Sequence, residues 1–202
     1  MMQRRIHSLS IFMRCRTGAS ALEFALVFPL FLMIFVGLVE VGRFLYIQQK
    51  VDTIASAMAD FASQTDNLTR ADLNSYASAS NQLMRPFQFS GSIIFTYVFN
   101  YQANPQPPCG VNTPCVVWQY EPIGPNGSKI GTTGNNPVLP NNYHVPTAQG
   151  VVVAEAFYFY QPLFPIPLIT TGIGSFGPFF SPETLYSIAI SKTRDVPTLT
   201  LG

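Results

Sequence analysis

Apolar and polar positions change rhythm three times along this chain. Between Ala19 and Val39 the only polar side chains are Ser20 and Glu23, so a helix here is apolar all round rather than striped. The sixteen uncharged residues Phe24–Val39 make about 24 Å of helix, short of the roughly 30 Å of bilayer hydrocarbon. Counting from Ala19 gives twenty-one residues and about 31 Å, which spans the bilayer but sinks Glu23 about one turn below its surface. An acid at that depth costs a few kcal/mol at most and marks a functional position, unless it snorkels to the headgroups beside Arg16.

The second rhythm is amphipathic. Ile47, Val51, Ile54, Met58 and Phe61 recur at spacings of four, three, four and three, with Gln48, Lys50, Asp52 and Asp60 on other faces. The helix therefore continues out of the apolar run and lays this stripe on a head domain. At the junction Glu40 and Arg43 share a face, and Phe44 and Tyr46 suit the headgroup region. Asn67-Leu68 reads as a break, and Thr69 with Asp72 as a capping box. A second helix over about 70–84 would turn Leu73, Tyr76, Ala77 and Leu83 inward and end at Arg85-Pro86.

The third rhythm is that of strands. Ser92–Tyr101, Cys115–Tyr120, Gly150–Tyr160 and Thr184–Thr193 are rich in β-branched and aromatic residues and bounded by Pro, Gly and Asn. They predict an antiparallel sheet of about four strands. The Pro-, Gly- and Asn-rich stretch between Tyr120 and Gly150 reads as a long, partly mobile loop. Gln161–Phe180 is apolar but broken by proline and glycine, which excludes a second membrane helix and leaves it to cover the sheet, the membrane or a partner. The fold class is thus α+β and membrane-anchored: a long N-terminal helix, a short second helix, then the sheet. Residues 1–18 form a basic leader, 19–64 the transmembrane and extended helix, and 65–202 the head.

Charge adds orientation. Only 10% of the residues are charged, and the net charge of +1 gives no footprint for nucleic acid. Arg4, Arg5, Arg14 and Arg16 all precede the apolar run without an acidic companion, which places the N-terminus in the cytoplasm and the head across the membrane. A cleaved secretory signal fits poorly, because the run is long, Glu23 interrupts its start and no small-residue cleavage site follows.

These residues carry a resemblance. The stretch "RTGASALEFALVFPLFLMIFVGLVEVGRFLY" resembles the opening of the TadE-like family, the pseudopilin-type assembly proteins of tight-adherence (Flp) pili. The matching features are a basic residue before Gly18, small residues Ala19, Ser20 and Ala21, then Glu23-Phe24-Ala25-Leu26, Pro29, and Gly37-x-x-Glu40-x-Gly42-Arg43. The resemblance implies a prepilin-peptidase site after Gly18, with Glu23 and Phe24 at the recognised spacing and Phe24 where tyrosine is usual. It implies Ala19 as a new, commonly N-methylated terminus, on the same helical face as Glu23. It further implies that Glu23 meets the terminal ammonium of a neighbouring subunit. A long helix, half in lipid and half on a head, is the pilin plan.

The function so implied is that of a pilus assembly pseudopilin, a minor pilin-like subunit of a tight-adherence type IV pilus system in the bacterial inner membrane. Its partners would be other pilin-like subunits, the secretion machinery, the prepilin peptidase and lipid, and its head would be periplasmic. The alternative is a single-pass, membrane-anchored periplasmic binding domain that is never processed. Of three cysteines, Cys15 belongs to the leader; Cys109 and Cys115 bracket a turn-rich loop suited to a disulfide in an oxidising compartment. Free thiols or a metal pair are the alternatives, although no further cysteine or nearby histidine completes a zinc site. Nothing resembles a phosphate-binding loop, a metal cluster or a cofactor site. An enzyme would have to use His144 with Asp195 or Glu155 and a serine, but no serine has the setting of a nucleophile elbow.

Overall fold

The computed structural model describes residues 16–65, 67–105, 108–163, 181–194 and 200–202, with side chains from Ser20 onward. Among these residues two α-helices and four strands follow in the order α1 (Arg16–Ser63), α2 (Arg70–Leu83), β1 (Gly91–Asn100), β2 (Pro114–Ile123), β3 (Gly150–Tyr160) and β4 (Glu183–Lys192). By its contacts the chain divides at Arg43 into an N-terminal unit, to which Leu163 belongs, and a head comprising Phe44–Pro162 and Ser181–Gly202.

The head is an antiparallel four-stranded sheet of order β2-β1-β3-β4 with helices on one face. β3 has a neighbour on each side, and its run "GVVVAEAFYFY" is buried at every position except Phe159. Alternate residues serve two cores. Phe95, Tyr97, Val152, Ala154 and Ala156 face the helical core with Ile47, Val51, Ile54 and Met58 of α1 and Leu73 and Ala77 of α2. Val98, Val116, Val151 and Val153 face the other way, where Ile130 and Val145 cover them. Gly150 opens β3 where the Tyr97 ring crosses the backbone; a Cβ there would collide with that ring.

α2 starts as expected. Thr69 Oγ1 accepts the Asp72 N–H at 3.2 Å, and the Asp72 carboxylate accepts the Thr69 N–H at 3.0 Å. The Thr69 hydroxyl also donates to that carboxylate at 2.7 Å, and this bond first, then the one from the Thr69 N–H, holds the Asp72 carboxyl below its ordinary range. The helix closes at Met84, and Leu68, in the predicted break, is buried and bridges to Leu201.

Several expectations shift. Phe61, assigned to the inward stripe, is 39% exposed and meets the Tyr76 ring at 5.7 Å, while Ala62 takes the buried position. Tyr76 and Leu83 are only half-buried, and Ser80 lies inside instead. β2 runs to Ile123, three residues past the predicted end. The Tyr120–Gly150 stretch, expected to be partly mobile, is held to the sheet by named bonds. Val116 exchanges backbone bonds with Asn135 and Gly134, and Asn100 Nδ2 donates to the Val145 carbonyl at 2.8 Å. The leader residues before Arg16, the apolar segment after Leu163 up to Phe180, and Asp195 lie outside the described residues.

Two outcomes follow. Ile54→Ala should lower head stability in denaturant unfolding by about 3 kcal/mol, since it leaves a cavity, and Phe61→Ala by about 1 kcal/mol or less. Because the Asp72 carboxyl titrates lower folded than unfolded, its contribution is complete above its ordinary value of 3.8. It disappears as pH falls through the depressed folded value. Asp72→Asn should therefore flatten the acid limb of a stability–pH curve in just that window.

Candidate functional site

The chemistry of the N-terminal unit is that of carboxylates on a helix. α1 is continuous from Arg16, so Gly18, Ala19, Glu23 and Phe24 all sit in its first turns. Glu23 is exposed and makes no hydrogen bond or ion pair among the described residues. Around it Leu22, Phe24, Leu26 and Val27 are 60–74% exposed, and thirteen large apolar residues from Leu22 to Val39 are exposed in all. Phe24 lies against Phe28 with ring centroids 5.4 Å apart. The Gly18–Ala19 junction and Glu23 are thus brought onto one helix; among the described residues no second group is brought to Glu23.

Glu40 behaves oppositely. Its side chain is 1% exposed, 3.7 Å from the Arg43 guanidinium, and its two oxygens accept the Leu163 backbone N–H at 3.1 and 3.2 Å. One acid of this helix is satisfied within the chain, and the other finds no partner among the described residues. The spacing of Glu40 and Arg43 predicts their pairing, but nothing in the sequence marks Leu163 as the donor. Cys109 and Cys115 are joined in a disulfide with Cα atoms 5.6 Å apart. The bond closes a turn in which Asn112 adopts φ 56°, a conformation asparagine tolerates, and donates its N–H to the Tyr101 carbonyl at 2.6 Å.

One polar group in the head, weighed from sequence only as a catalytic partner of His144, has a structural setting that sequence reasoning did not draw out. Glu155, in the middle of β3, is completely buried. It accepts the Lys129 N–H at 2.8 Å, the Tyr186 hydroxyl at 2.9 Å and the Ser128 hydroxyl. Lys129 Nζ stands 3.9 Å from the centre of the Tyr186 ring. Burial, then the neighbouring carboxylate, pushes the Tyr186 hydroxyl above the usual tyrosine range. The signal was legible: a lone acid in an otherwise apolar strand. His144, weighed above as a catalytic partner of Glu155, is exposed in the loop, and Glu155's three partners are other residues. Among the described residues no three His, Cys, Asp or Glu side chains converge as a metal site.

A helix long and apolar enough to cross a membrane, leading into an α+β head, defines a protein with a membrane-anchor-like N-terminus. The N-terminal part is also recognisable by family: residues 18–60 match the family described as TadE-like protein. The resemblance read from the Gly18–Phe24 stretch and the Glu40–Arg43 pair is thereby upheld over these residues. No curated protein and no solved structure matches the chain.

The two acids should separate experimentally. Glu40→Leu removes the acceptor of the Leu163 amide, whose hydrogen exchange should rise about tenfold or more. Glu23→Gln should leave that amide unchanged.

Proposed function

We propose that the chain is a pilus assembly pseudopilin of a tight-adherence type IV pilus system, anchored in the inner membrane with its N-terminus cytoplasmic and its head periplasmic. The observation that carries this reading is Glu23: an exposed carboxylate with no partner among the described residues, on an apolar helix, five residues after Gly18 and inside the TadE-like match. The basic residues before it support the orientation, and the disulfide suits an oxidising compartment.

In this reading a prepilin peptidase cleaves after Gly18 and frees the amine of Ala19. A carboxylate and an ammonium are each costly in lipid. Placed together between neighbouring subunits they neutralise one another, and the pairing fixes the axial register of adjacent helices. The helix supplies lateral contacts in the bilayer, and the head supplies contacts with pilin-like subunits or secretion components. The role is assembly through protein–protein contact, with no reaction of its own.

Intact mass of the protein taken from its native membrane tests processing. The mass expected is that of a chain beginning at Ala19, with or without one methyl group. A chain still carrying residues 1–18 would overturn the pseudopilin reading and leave an unprocessed anchored binding domain. Glu23→Gln should insert normally but abolish pilus assembly; normal pili with this variant would contradict the pairing.

A further inference from the structure

Among the described residues no α-helix lies on the outer face of the sheet. The long connection from β2 to β3, residues 124–149, closes it as a strap, with Ile130 and Val145 seated on Val98, Val116, Val151 and Val153. Its middle is tied to β2 by Val116, which bonds to Gly134 and Asn135, and by Gln119, which donates to the Gly131 carbonyl; two further groups of attachments hold its ends. Near β3, Ala148 donates its N–H to the Asn100 carbonyl at 2.8 Å and Asn100 Nδ2 reaches Val145, all between uncharged groups. Near β2, the turn through Ser128 and Lys129 is gathered on one carboxylate, that of Glu155, while Asn126 is held by Glu121 and Ser92. Ser128 Oγ accepts the Ile130 N–H at 3.1 Å, so the same contact reaches the residue that plugs the apolar face.

We propose that Glu155 is a latch that fixes the β2-proximal half of this strap in one conformation, and that this half opens independently of the half held by Asn100. A completely buried acid is costly and is retained only where donors surround it. Here three donors converge on two oxygens, and two of the three belong to the strap. The only formal positive charge brought near by these contacts, Lys129 Nζ, rests on the Tyr186 ring. The network therefore couples the strap turn to β4 through Tyr186. Further along the strap, Val138 and Tyr143 are 74% and 43% exposed, large apolar groups offered at the surface. Glu155 is thus a positioning residue for the strap, acting through Ser128 and Lys129.

Hydrogen exchange on the full chain in detergent micelles tests the latch. Glu155→Gln places an amide N–H among groups that need an acceptor. Exchange of the Lys129 and Ile130 amides should rise about tenfold or more, while the Ala148 amide and the β1–β3 ladder keep wild-type protection. Ser128→Ala and Tyr186→Phe, each removing one donor, should raise the same two amides by less. They carry the test if the first variant does not fold. Uniform loss of protection across the head in the folded variants would show a general core residue, and unchanged exchange at Lys129 and Ile130 would show no latch. Either result overturns the proposal.

Discussion

The apolar belt of α1 is the constraint on which everything else depends. Thirteen large hydrophobic side chains between Leu22 and Val39 are exposed, and covering them is worth on the order of 20 kcal/mol at about 1.5–3 kcal/mol for each full burial. That is several times the cost of carrying one acid near the end of a membrane helix. The belt therefore decides where the segment resides, and Glu23 is tolerated. Tolerance does not explain presence, however. Glu23 makes no hydrogen bond or ion pair among the described residues, on a helix whose second acid is engaged by Arg43 and Leu163; in the proposed reading its partner comes from a neighbouring subunit.

The head answers a different problem: a sheet apolar on both faces. Its inner face is closed by the outer half of α1 and by α2, whose buried side chains interlock with alternate residues of β1 and β3. The outer face is closed by chain without regular structure apart from one short turn at Pro140–Asn142. Such chain has unpaired backbone groups to satisfy, and polar side chains of the sheet satisfy them. Asn100, Gln119 and Glu155 hold it at 2.8 to 3.2 Å from three different strands. This is why the face carries a buried acid and a buried asparagine among valines.

Much of this was legible in the residues. The stripe Ile47–Val51–Ile54–Met58 and the Thr69–Asp72 box follow from period and capping chemistry alone, and both occur as read. Phe61 failed because a spacing rule places it on the edge of the stripe, where the smaller Ala62 fits the packed interior and the ring does better against Tyr76. The strap was misread for a general reason. A run of Pro, Gly and Asn signals absence of periodic structure, not absence of order, and its order comes from long-range partners such as Ser128 with Glu155. The candidate site divides similarly. Glu23 was conspicuous by its spacing from Gly18, whereas the engagement of Glu40 depends on Leu163, more than a hundred residues away.

A nitroxide scan along Phe24–Val39 in reconstituted bilayers tests the central claim most directly, because it reads what covers each position. The account predicts that every position is accessible to oxygen and shielded from water-soluble relaxants, with shielding deepest midway and weakening towards Glu23. Uniform access to the water-soluble reagent along the whole segment would contradict it.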